Sequence, residues 1–239
     1  MPSPVRMTAG VSTANRGTTL FNYPRPDPTK VYEYFDDFEI YVSGDWTRTA
    51  VGAGTSALAA DEPFGALLLT NAAADNDSIQ HQLTTENFTL TAGKKAWFKA
   101  RFKVSDATQS DFLIGLAVLD TTLMGSTDGD GVTDGIFFSK DDGDTSLDFQ
   151  CQKDATTGQL RAAAIATVTT AYTTVGFEYD GLRYIKYFVN DVHIGTMNLT
   201  STQATYLPDT PVTVSFAMQN GEAVAKTMHV DYIFAAIER

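Results

Sequence analysis

Three carboxylates on a glycine-rich turn form the best metal candidate in the chain: Gly125-Ser-Thr-Asp128-Gly-Asp130-Gly-Val-Thr-Asp134-Gly135. Closely spaced oxygen donors of this kind suit a hard cation such as Ca2+, so Asp128, Asp130 and Asp134 are the candidate metal ligands. The spacing departs from the helix-loop-helix calcium loop. Its fifth, sixth and twelfth positions would be Val132, Thr133 and Ser139, and the bidentate acid is missing. The alternative is a solvated turn that keeps strand ends apart, with Asp141, Asp142 and Asp144 either extending the cluster or adding surface charge. His81, His193 and His229 are far apart in sequence and none has a ligand-like neighbour. Strand or surface positions suit them better than a general base does. Trp97, Tyr184 and Trp46 could stack a sugar ring. A tryptophan on a basic strand face serves equally as an oligomer contact, so Trp97 and Tyr184 stand as candidates for either a glycan or a subunit contact. The expectation is a protein without catalytic residues and without an obligatory cofactor, Ca2+ being the one ion that the sequence admits.

The elements that must position these groups are strands. Apolar residues fall on every second position in Val175, Phe177 and Tyr179, in Val212, Val214, Phe216 and Met218, and in Met228, Val230, Tyr232 and Phe234. Period two buries one face of a strand. The spacing predicts strands over 173–180, 183–190, 212–220 and 227–237, joined by Asp180-Gly181, Asn190-Asp191 and Asn220-Gly221 turns that tolerate positive φ. Residues 95–104 alternate most cleanly, with Phe98 and Phe102 on one side and Lys95, Trp97, Lys99, Arg101 and Lys103 on the other. Residues 112–119 are almost wholly apolar and suit a central strand covered on both faces. Phe35, Phe38, Ile40 and Val42 open the body. Further strands are predicted at 64–70, 79–83, 87–91, 135–139, 146–152 and 159–166. Cys151 alternates with Leu147 and Phe149 and should point inward as an inert thiol. About a dozen strands and no long helix imply an all-β, two-sheet antiparallel sandwich or jelly roll.

Ahead of that body lies a different composition. Residues 1–30 hold five of the 8 prolines, at positions 2, 4, 24, 26 and 28, and Ser3 to Thr19 is small, polar and rich in Gly and Thr. Tyr23-Pro24-Arg25-Pro26-Asp27-Pro28 should be extended and unable to pair as a central strand. Arg6, Arg16, Arg25 and Lys30 face a single acid there, Asp27, whereas residues 31–239 carry 13 cations against 28 acids. A basic arm, 1–30, therefore precedes an acidic domain, 31–239. A segment with so little apolar surface gains a fixed shape against a partner or a neighbouring copy, or by folding back on its own domain. The net charge of −12 argues against nonspecific nucleic-acid binding. No apolar run reaches the length of a membrane span, and the N-terminus lacks the charged start and apolar core of a secretory signal. The expectation is a protein made in a reducing cytoplasm, with neither nucleic acid nor membrane as a partner.

Five segments together resemble the concanavalin A-like jelly roll of laminin-G modules, legume lectins and family 16 glucanases. They are Phe35-Asp-Asp-Phe38, Lys94-Lys-Ala-Trp-Phe-Lys-Ala-Arg-Phe102, Val175-Gly-Phe-Glu-Tyr-Asp-Gly181, Tyr187-Phe-Val-Asn-Asp-Val192 and Val230-Asp-Tyr-Ile-Phe234. The fourth is similar to a hairpin in which glycine usually stands where Asp191 stands here. The likeness covers roughly residues 31–239. Retaining glucanases of this fold would require Glu-x-Asp-x-Glu or Glu-x-Asp-x-x-Glu, two carboxylates about 5 Å apart. Glu178-Tyr-Asp180 supplies the first two acids, but Leu182 and Arg183 follow, and Glu33 to Asp36 has the wrong spacing. Lyase relatives would require Gln-x-His; Gln80 directly precedes His81, which sends the two to opposite sides of a strand, although Tyr184 and Lys186 share a face.

A polar, Thr-rich arm ahead of such a domain further resembles decoration or cement proteins of tailed-bacteriophage heads. That resemblance implies a non-enzymatic virion protein on the outer capsid surface, made in the host cytoplasm. It would bind the major capsid protein and itself, with a homotrimer favoured. Arg6, Arg16, Arg25, Pro24, Pro26 and Pro28 would be its contact residues. The alternative is a lectin-like virion protein that recognises host-surface glycans.

Overall fold

The computed structural model describes residues 27–125, 131–155, 160–199 and 206–239. Fifteen strands, numbered in chain order, form two antiparallel sheets among these residues. The eight-stranded sheet contains β1 (Val31–Asp36), β3 (Thr55–Leu58), β4 (Leu67–Thr70), β6 (Ala96–Val104), β11 (Thr173–Tyr179), β12 (Tyr184–Val189), β13 (Val192–Asn198) and β15 (Thr227–Glu238). Its order is β13-β12-β11-β6-β15-β4-β3, and β1 pairs with the other end of the long β15. The seven-stranded sheet contains β2 (Trp46–Val51), β5 (Ser78–Leu83), β7 (Ser110–Ala117), β8 (Gly135–Lys140), β9 (Ser146–Gln152), β10 (Leu160–Thr167) and β14 (Thr213–Asn220), in the order β10-β9-β8-β7-β14-β5-β2.

The period-two pattern sets which side chains meet between the sheets. On β6, Ala96, Phe98, Ala100, Phe102 and Val104 are buried, while Trp97, Lys99, Arg101 and Lys103 alternate with them on the outer side. Phe102 meets Phe112 of the opposite sheet at 4.8 Å between ring centres, and Phe149 meets Phe177 at 5.8 Å. Edge and tilted ring contacts of this kind add to the area they bury. Cys151 lies inside this core, with burial pushing its thiol well above the usual range. That fits the inert reading.

Several sequence expectations need correction. Strands β2, β3 and β13 were not anticipated, because strands near a sheet margin leave many side chains in water and lose the alternation that marks a central strand. Residues 87–91 form no strand, only an isolated bridge between Phe88 and Val212. Asn220-Gly221 is no hairpin turn, since β14 and β15 lie in different sheets. The Asn220 side chain donates to the carbonyls of Ala72 (2.7 Å) and Ala74 (2.9 Å) and accepts from the Lys226 amide, and so ties down a crossing between layers. Of the four residues that open the body, only Phe38 is buried; Phe35, Ile40 and Val42 are exposed. Trp46 is a core residue at 5% exposure, packed on Phe216 and Phe38, and cannot stack a ligand. Asn190 and Asp191 both take positive φ, 50° and 62°, as a two-residue I′ hairpin between β12 and β13 requires. Asp191 therefore keeps the turn without glycine.

Candidate functional site

The outer face of the seven-stranded sheet is covered by the chain itself. Outward positions on β5, β7, β8 and β14 include Gln80, Gln82, Leu113, Ala117, Phe137 and Ala217, all buried. Leu123, Met124 and Val132, from the segment between β7 and β8, pack on Leu113, Ala117, Phe137 and Ala217 as a second small core. Two glutamines hold that segment in place. Gln82 Nε2 donates to Val118 O (2.8 Å) while its Oε1 accepts from the Asp120 amide (2.9 Å). Gln80 likewise donates to Asp120 O and accepts from the Leu123 amide (2.9 Å). Each amide side chain thus satisfies both a donor and an acceptor of a segment that lacks strand partners. Gly131 is required here, because a Cβ would lie 1.6 Å from Thr122 O.

Beside this plug, burial raises the Asp111 carboxyl to about 7, with Asp142 adding to the rise. His81 points inward from β5, stacked on Phe216 with ring centres 5.3 Å apart. Burial, with a further push from Arg48, lowers it to about 3, so it stays neutral. Gln80 and His81 do face opposite sides of their strand. Among the described residues, the Asp-rich turn contributes only Asp134 to an acidic cluster; Asp128 and Asp130 lie outside them. Asp134, Asp154 and Asp209 each place a carboxylate oxygen within 4.8 Å of the others. Lys153 Nζ stands 2.5 Å from Asp209 and 3.9 Å from Asp154 and supplies positive charge. Burial, reinforced by the Asp154 and Asp209 charges, raises the Asp134 carboxyl.

The eight-stranded sheet presents a different outer face. Strand register aligns Glu33, Ala236, Trp97, Glu178 and Lys186 in one row, and Phe35, Phe234, Lys99, Gly176 and Phe188 in the next. Trp97, Phe234 and Phe188 surround a groove of about 250 Å³, with Gly176 among its lining. A Cβ at Gly176 would sit 2.9 Å from Phe98 O, so the bare position also keeps the strands close. Lys99, which lies in the row between Phe234 and Gly176, pairs with Asp191 (2.5 Å), and Glu178 pairs with Lys186 (3.6 Å); Lys99, Asp191 and Glu178 also line the groove. Arg101 pairs with Asp231 and Lys103 with Glu62 (2.6 Å), while Tyr172 lies under both cations. Lys99, Arg101 and Lys103 of the basic strand face read from the sequence are therefore neutralised locally.

Of the predicted site residues, Trp97 lines the groove, and Tyr184 lies on the same face one row further along, with the Arg183 guanidinium 4.9 Å from its ring. Phe188, Phe234 and Gly176 were not picked out. Phe188 and Gly176 share the outward parity of Lys186 and Glu178, which is the signal that could have found them. Phe234 reads from the sequence as part of a buried face with Met228, Val230 and Tyr232, but a bulge between Val230 and Tyr232 turns Tyr232 and Phe234 outward and puts Ile233 and Ala235 in the core instead. Glu178 and Asp180 do not act as a pair: Asp180 Oδ1 accepts the amides of Leu182, Arg183 and Tyr184 (2.8–2.9 Å) and pins the turn. Burial opposes ionisation of Asp180, but these three bonds prevail and hold its carboxyl below the usual range. Pro28 sits in a turn closed by Lys30 N donating to Asp27 O (2.9 Å). Arg6, Arg16, Pro24, Arg25 and Pro26 lie outside the described residues.

The fold is a concanavalin A-like jelly roll. An endo-1,3-β-glucanase from Streptomyces sioyaensis is similar with a TM-score of 0.62 at 14% identity, over 90% of this chain and 98% of that one. Peanut lectin is similar with a TM-score of 0.59 at 13% identity, over 88% and 98%. A Shewanella oneidensis MR-1 protein of unknown function is similar with a TM-score of 0.60 at 13% identity, over 87% of each chain. No family model and no curated protein matches the sequence. A jelly roll shared by a hydrolase and a lectin leaves function to be argued from the residues on it.

Proposed function

We propose that this jelly roll is a non-enzymatic virion structural protein that decorates and cements the capsid of a tailed bacteriophage. It binds the major capsid protein and self-associates. The observation that carries the reading is the segment held by Gln80 and Gln82, which occupies the outer face of the seven-stranded sheet with its own apolar side chains. The open aromatic surface lies on the opposite sheet, and a broad sheet face suits adhesion better than turnover. The basic arm and acidic body supply complementary charge for contacts between subunits. Deleting residues 1–30 should leave a folded body that no longer co-sediments with purified capsid shells. Unchanged co-sedimentation would overturn the role given to the arm.

A second reading is favoured by the groove itself. Three aromatic rings beside hydrogen-bonding ion pairs suit a sugar ring, and a lectin stands among the similar structures. A glycan array on the full chain tests it: binding abolished by Trp97→Ala supports glycan recognition, and an array without signal rejects it.

A further inference from the structure

We infer that the aromatic groove of the eight-stranded sheet is the receptor for the proline-containing arm, residues Leu20–Pro26, of a second copy of this chain. The inference rests on the adhesive reading above and names the surface through which copies join.

The groove's chemistry fits this occupant. Proline-rich segments hold an extended left-handed helix before they bind, so they lose little entropy on docking, and they insert flat apolar rings between aromatic side chains. Trp97, Phe188 and Phe234 offer such faces around Gly176. Leu20-Phe21-Asn22-Tyr23-Pro24-Arg25-Pro26 offers five apolar side chains and a single charge. Glu178, which lines the groove and whose own ion pair with Lys186 is loose at 3.6 Å, is placed to take Arg25.

The dimensions agree as well. From Phe35 on β1 to Phe188 on β12 the row crosses four strand spacings, about 19 Å at ~4.8 Å each. Seven residues in the polyproline conformation extend about 22 Å.

Reach decides between the chain's own arm and that of a neighbour. The turn at Asp27–Lys30 lies beside Arg239, whose amide donates to Lys30 O (2.8 Å). From Val31 to the row of Phe35, the arm would have to travel back about 13 Å along β1. Pro24 to Pro26 cover about 9 Å, so an arm turned back over its own subunit would bring Leu20–Tyr23, and not the prolines, to the space between Phe234 and Phe188. A second copy faces no such constraint.

Complementation between full-length variants tests this in sedimentation-velocity experiments. Wild type should self-associate. Trp97→Ala, with its arm intact, and a Pro24→Ala/Arg25→Glu/Pro26→Ala variant, with its groove intact, should each weaken self-association about tenfold or more. Mixing the two should restore a heterocomplex, and an excess of synthetic peptide 18–30 should return wild type to monomers. Phe188→Ala provides a second groove variant, with thermal melts confirming that each variant folds. A monomeric wild type, a Trp97→Ala or Phe188→Ala protein that sediments as wild type, or a mixture that stays monomeric would overturn the inference. Shell co-sedimentation, measured on the same proteins, separates the two ideas. Shell binding without arm exchange would leave the adhesive reading standing and remove this one; arm exchange without shell binding would do the reverse.

Discussion

On the seven-stranded sheet, outward glutamines reach up and hold a loop; on the eight-stranded sheet, outward cations pair with nearby acids and leave the aromatic rings between them open. The difference follows from the side chains. A short amide offers a donor and an acceptor at fixed separation, which a loop's orphaned backbone groups can use at both ends. A long charged side chain is satisfied by one carboxylate and remains half in water. One face is thereby part of the folding unit and the other is surface.

Four substitutions would break or sharpen this contrast. Leu123→Ala should cost most, about 2–4 kcal/mol, because it opens a cavity beneath the loop; urea unfolding should register the full loss, and a change below about 1 kcal/mol would mean that the loop is only draped on the sheet. Asp111→Asn comes next, and its effect grows with pH. The folded carboxyl titrates near 7 and its ordinary value is 3.8. Between those values the unfolded chain gives up a proton that the folded chain keeps, so the wild type loses stability as pH rises from about 4 to 7. The asparagine variant should lack that fall and be more stable than wild type at pH 8, by on the order of 2 kcal/mol. His81 slopes the other way: with its folded value near 3 against 6.5, its contribution is full above 6.5 and lost as pH falls toward 3. Gln82→Ala removes bonds to Val118, Asp120 and Ser215 and should cost about 1–2 kcal/mol. Lys99→Met, on the open face, should change stability by less than about 0.5 kcal/mol, and thermal melts at low and high salt should bracket it.

The strands at the heart of both sheets were legible because burial imposes period two on them. β6 and β11 were placed within a residue or two of their ends for that reason; β15 was bounded as well, but its bulge after Val230 reverses which side chains face the core, a shift that alternation does not reveal. Residues 112–119 also announced cover on both faces, and the structure supplies that cover through Leu123, Met124 and Val132. What stayed hidden depends on side chains meeting across register. Gln80 and Gln82 read as ordinary polar residues until β5 lies beside β14 and the loop above them. Phe188 and Phe234 are 46 positions apart in sequence numbering but only three strands apart in space. Trp97 was picked out because it interrupts a run of lysines. Trp46 was misread because a lone tryptophan at a strand start looks the same whether it faces the core or water. Asp134 found Asp154 and Asp209 rather than Asp141 or Asp144, a matter of loop paths that spacing does not encode.

The register of β1 against β15 has a mechanical consequence. Val31 pairs with Glu238 at the end where the arm attaches, and Asp36 pairs with Ile233 further in. Tension on the arm directed away from the sheet edge therefore loads the ladder one rung at a time, as in opening a zipper, rather than shearing six rungs together. Under load β1 should peel away while the double-layered core behind it stays intact, giving the subunit a leash that lengthens before its body yields.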